Sequence, residues 1–143
     1  MKPFYKQAIL FWLVLLVLAF INAITRELTY KPWLTPYIGN WAHQISSVTA
    51  ILLFFSAIYI FLKRTMSEYT RQDLVNAGLI WILLTVMFET FMNMFVRQLS
   101  FEEVLKTYYF WQGETWIFVL LSLVISPLVA ELILESDRKR NLV

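Results

Sequence analysis

Four runs of about twenty apolar residues, each closed by charged or turn-forming residues, set what this chain can fold into. They fall at about 4–25, 41–62, 74–95 and 115–134. Each is long enough to cross a ~30 Å hydrocarbon core as a helix rising about 1.5 Å per residue. In that medium backbone polar groups must bond within their own segment, which selects helices. A chain of 143 residues has no room for a soluble domain beside them. The expected fold is all-α: an integral membrane four-helix bundle forming a single transmembrane domain.

The connections add detail. Lys2 and Lys6 precede the first run, which is long for a signal peptide and has no clear small-x-small cleavage site after it, so it reads as an uncleaved span. Residues 26–40 contain Pro32, Pro36 and Gly39, which predict an irregular loop carrying the boundary aromatics Tyr30, Trp33 and Tyr37. Thr70 with Asp73 and Ser100 with Glu103 are spaced as capping boxes. After Ser100, the residues Phe101, Val104, Leu105 and Tyr108 repeat at helical spacing. They predict a short amphipathic helix over about 101–110, lying in the interface between the third and fourth spans. Pro127 predicts a kink in the fourth span.

Lysine and arginine set the orientation. The N-terminus, the 63–73 connection and the tail hold Lys2, Lys6, Lys63, Arg64, Arg71, Arg138, Lys139 and Arg140, against Arg26, Lys31, Arg97 and Lys106 in the other two connections. Both termini are expected in the cytoplasm.

Composition removes whole classes of chemistry. With no cysteine there is no disulfide, thiolate metal site or thiol redox couple. His43 is the single histidine, so one chain cannot build a multi-histidine metal or haem site. No metal or other cofactor is expected. A net charge of +2 with scattered basic residues gives nucleic-acid binding no support.

One span is not plain. Thr85, Glu89 and Asn93 are four residues apart, so three polar groups share a face of the third helix. A carboxylate within a span is costly and usually faces a partner or a water-filled cavity. Glu89 lies fifteen residues beyond Leu74, about 22 Å along the axis and so in the outer half of the core. Asn22 and Arg26 end the first span at that level, His43, Gln44 and Ser47 open the second, and Arg97 and Glu114 flank the last connection. Arg26, His43, Glu89, Asn93 and Arg97 are therefore the candidate ligand-binding residues, with Asn22, Gln44, Ser47, Thr85 and Glu114 in support. The expected partners of Glu89 are Asn93 or groups on other helices, with Arg26 and His43 the best placed, since Arg97 stands about 12 Å away along the same helix. The inner half offers fewer polar residues: Asn76, Ser126 and Glu131. His43 and Ser47 suggest a hydrolase only if Glu89 joins them, which needs the second and third spans to pack together.

The run NAITREL followed by proline, glycine and His43, the stretch GLIWILLTVMFET and the closing WIFVLLSLVISPLVAELI together resemble small bacterial four-span membrane proteins of uncharacterised function. The resemblance implies a bacterial cytoplasmic-membrane address and no particular activity. Small multidrug transporters carry their essential carboxylate in the first span, where this chain has none before the end.

Three functions remain. The first is an outward-facing polar pocket binding a small solute or lipid headgroup, as in a transporter, with Arg26, Arg97 and His43 holding an anionic group. The second is an accessory subunit whose polar layer fixes helix packing. The third, a membrane-embedded hydrolase or transferase, is disfavoured. The expected partners are membrane lipids and a small anionic or lipid ligand, and a homo-oligomer fits each reading.

Overall fold

In the computed structural model, which describes residues 1–142 apart from the side chains of Ile38 and Asn40, 86% of the chain is helical and no described residue is in a strand. Helix α1 (Pro3–Thr25) passes through a π turn (Arg26–Tyr30) into α2 (Lys31–Ile38). Then come α3 (Ala42–Arg64), α4 (Arg71–Phe91) with a second π turn (Met92–Val96), the short α5 (Phe101–Lys106) and α6 (Trp116–Arg140). Four of these stretches are long and apolar enough to cross a membrane: 3–37, 42–64, 71–96 and 116–140.

The four long helices close a ring. α6 packs on α3 and α4, and α1 packs on the same two, so α3 and α4 stand on a diagonal. α1 and α4 run parallel: Lys2 meets Asp73, Ala8 meets Trp81 and Trp12 meets Thr85. α1 and α3 run antiparallel, with Asn22 against Ser46 and Gln7 against Thr65. The middle of the ring is an apolar core that includes Phe4, Leu15, Phe54, Ile58, Trp81 and Leu123. Trp81 is wholly buried, and its indole N–H donates to the Ala8 carbonyl at 2.8 Å, which satisfies the one polar atom it brings inside.

Outward, Leu13, Val17, Leu52, Leu83, Met87, Ile125 and Leu132 are all more than half exposed. An apolar belt this extensive would be a liability in water and fits a bundle whose helices are long and apolar enough to cross a membrane.

Three boundaries differ from expectation. Residues 26–38, expected as an irregular loop, are helical. Pro32 falls in the first turn of α2, just after the π turn has sent the Lys31 N–H to the Arg26 carbonyl, so the donor it lacks is not needed there. The break comes at Gly39, with φ +57°, a left-handed conformation that suits glycine. The last helix runs to Arg140 rather than stopping near residue 134, held by an Arg138–Glu131 contact and by basic residues suited to a helix C-terminus. Pro127 lies buried within it. Between α4 and α6, the helix expected over 101–110 ends at Lys106 and is followed by a single 3₁₀ turn, Phe110–Gln112. Val104 is its buried residue, while Phe101 and Leu105 are exposed.

Both capping boxes form. Ser100 Oγ accepts the Glu103 N–H at 3.3 Å, and the Glu103 carboxylate accepts the Ser100 N–H at 2.7 Å. These bonds hold the Glu103 carboxyl below the usual range. A lowered folded pKa means that the cap is fully present above the ordinary value of about 4.3 and is lost as pH falls through the folded value. Carboxyl titration by NMR should therefore give Glu103 a midpoint below 4.3, and Ser100→Ala should raise it only part of the way, because the backbone N–H at position 100 still donates to the carboxylate. A wild-type midpoint at or above the ordinary value would contradict the cap.

Candidate functional site

At the end of the ring where α1 meets its π turn and α4 meets the other, the helices part around a cavity of about 480 Å³. All five candidate binding residues line it: Arg26, His43, Glu89, Asn93 and Arg97. So do Asn22, Ser47, Thr85 and Glu114. Gln44 does not. Its amide N–H donates to the Gly113 carbonyl at 3.3 Å, tying α3 to the segment before α6.

The periodicity of α4 explains much of this. Thr85, Glu89 and Asn93 lie one above another on the face turned to the cavity. Thr85 accepts the Trp12 indole N–H at 3.1 Å, which fixes the floor against α1. Asn22, buried on α1, donates to Ser46 at 3.0 Å and fixes the floor against α3.

Glu89 is partnered differently from expectation. Among the described residues neither Asn93, Arg26 nor His43 bonds to it. Its Oε2 accepts the Trp116 indole N–H at 2.6 Å and the Tyr108 hydroxyl at 3.2 Å. The ring order brings α6 against α4 and leaves α3 diagonal, so His43 cannot take that place. Tyr108 stays a hydrogen donor, because burial foremost and the adjacent Glu89 charge push its phenol above the usual range. Sequence reasoning passed over both donors because tryptophan and tyrosine near helix ends also serve as boundary anchors. Their N–H and O–H groups at the depth of Glu89 were the available signal.

The cations divide into occupied and free. Arg26 pairs with Glu27 at 3.0 Å, and Lys31 pairs with the other oxygen of Glu27 at 2.8 Å. Arg97 bonds only the neutral Asn93, at 3.1 Å, and makes no ion pair among the described residues. The exposed His43 ring makes no hydrogen bond there. Glu114 has no ion-pair partner among them either. The Ser47 hydroxyl contacts the Thr115 hydroxyl at 2.6 Å and the His43 backbone carbonyl at 3.2 Å, not the imidazole. Among the described residues no serine–histidine–acid relay is assembled.

The opposite end is more polar than its sequence suggests. Asp73 accepts Lys2 Nζ at 2.8 Å and the Tyr5 hydroxyl at 2.7 Å, and Asn76 donates to the same hydroxyl. Glu131, nearly buried, accepts the Tyr69 hydroxyl at 2.6 Å and Arg138 at 3.4 Å. Burial, and after it Glu131, pushes the Tyr69 phenol up to about 12. Asp73 read only as a cap and Lys2 only as an orientation signal, so this network was not expected. Among the described residues no cluster could hold a metal ion.

Compared with protein families, curated proteins and solved structures, the chain matches none.

Proposed function

We propose that the protein is a multi-pass membrane protein whose cavity binds a small solute or lipid headgroup through an anionic group, as a transporter or binding protein does. The observation that carries this reading is Arg97: a guanidinium lining a 480 Å³ cavity that His43 also lines, without a carboxylate partner among the described residues. A planar fork of donors suits a carboxylate or phosphate. Arg26 is committed to Glu27 and shapes the rim. Glu89, held by two neutral donors, supplies a counter-charge or proton site deeper in.

The excess of lysine and arginine at the opposite end supports a cytoplasmic location for both termini, with the cavity opening outward. On this reading α5 lies along the membrane surface, with Phe101 and Leu105 toward lipid. A bacterial cytoplasmic membrane is the address that the sequence resemblance implies. An accessory-subunit role is favoured by one observation, the complete hydrogen bonding of Glu89 Oε2 to Trp116 and Tyr108.

Thermal unfolding of detergent-purified protein with inorganic phosphate, acetate or phosphatidylglycerol tests the binding reading. A ligand at about a hundred times its dissociation constant should stabilise the fold by about 2.7 kcal/mol. Arg97→Gln should abolish that gain and leave the ligand-free midpoint nearly unchanged, because this arginine is exposed. No stabilisation by any of the three probes would favour the accessory role.

A further inference from the structure

Beside the polar network at the Lys2 and Arg138 end, two further cavities meet. One is an apolar groove of about 610 Å³ between α1 and α3, floored by Phe11, Val14, Ala57, Ile60 and Phe61. The other is a polar cleft of about 830 Å³ formed by residues 65–70 with Lys2, Glu131 and Arg138. Thr65 and Met66 line both, so the groove and the cleft adjoin at these two residues.

The charges at this junction are unequal in availability. Lys2 is held by Asp73, and Arg138 contacts Glu131. Arg64, at the mouth of the groove, and Glu68, in the cleft, enter no ion pair or side-chain hydrogen bond among the described residues. Three residues of non-helical chain, 65–67, lie between them, a span of at most about 14 Å from Arg64 to Glu68.

We propose that this junction is a binding site for an aminophospholipid. The acyl chain lies in the groove against Phe11 and Phe61, the phosphate meets Arg64, and the primary ammonium meets Glu68. An apolar trough leading to one free cation and one free carboxylate matches the order of chemistry along such a lipid. A headgroup without an ammonium offers Glu68 at most neutral hydroxyl donors and no positive charge. A quaternary ammonium cannot donate a hydrogen bond to it. The site rests on the chain residing in a bilayer and is independent of the cavity around Arg97 at the other end.

The test is native mass spectrometry of the detergent-purified chain with phosphatidylethanolamine, phosphatidylcholine or phosphatidylglycerol of matched acyl chains. Phosphatidylethanolamine should be retained roughly tenfold better than the other two, the worth of one charge-assisted hydrogen bond. Glu68→Gln should remove that preference, Arg64→Gln should weaken retention of all three, and Val14→Trp should block the groove. Each position is exposed, so the variants should fold. Equal retention of the three lipids, a preference for phosphatidylglycerol, or unchanged retention in Arg64→Gln and Glu68→Gln would overturn the proposal. The comparison is made in Arg97→Gln as well, which removes the anion-binding group of the cavity at the far end; the phosphatidylethanolamine preference should persist there, so the two sites can fail separately.

Discussion

Glu89→Leu should lower the unfolding midpoint sharply, while Glu89→Gln should lower it little. The leucine strands the Trp116 N–H and the Tyr108 O–H in a half-buried site, and each stranded donor costs about 1–3 kcal/mol, toward the low end where the cavity admits water. The glutamine keeps an acceptor oxygen where the carboxylate had one. It then forfeits only the charge on two hydrogen bonds, and contacts between spanning helices average roughly 0.6 kcal/mol. Stability therefore reports the bonds, and ligand binding reports the charge. If the cavity uses that charge, Glu89→Gln folds normally and loses the ligand-induced shift. If Glu89→Leu unfolds no more readily than Glu89→Gln, the two donors are satisfied elsewhere and Glu89 does not organise this end of the bundle.

Gly78→Ala should be among the most damaging small substitutions in the chain. A Cβ built there would stand 2.7 Å from Val124 Cα and 2.8 Å from the Leu123 carbonyl oxygen, both backbone atoms that cannot rotate away. α4 and α6 would have to separate along their contact. Alanine gains about 1 kcal/mol of helix propensity over glycine, but overpacking a well-fitted contact costs typically 1–3 kcal/mol and here involves main chain. The clash wins. Leu79→Ala, one residue on and on the outward face, is the control and should be nearly silent. A Gly78→Ala protein as stable as wild type would mean that the two helices do not approach so closely.

These two positions also show how far the sequence can be read. The long helices were legible because apolar runs of membrane-spanning length have few other solutions, and their starts fall within three residues of expectation. Helix ends were less so. Hydropathy reports where apolar residues stop, whereas α6 continues through charged residues as far as Arg140. The polar face of α4 was legible from its spacing alone. The partners of Glu89 were not, because they depend on the order of helices around the ring. Short connections permit either order, and with α6 beside α4 the indole of Trp116 takes the place given to His43. Gly78 carried no signal at all: its role exists only in the distance to a helix some forty residues away.

The two π turns carry a consequence for any comparison of this chain with another. Each turn holds one residue more than an α-helix would, so each is in effect a single-residue insertion that the helix absorbs without breaking. Both lie at the cavity end, at Arg26–Tyr30 and Met92–Val96. Removing one residue from the first would turn α2 by about 100°, carrying Lys31 off the rim while the bundle below stayed intact. A protein sharing the bundle but lacking either extra residue would align without gaps through the apolar core and then fall out of register at the rim, where its side chains would present a different cavity.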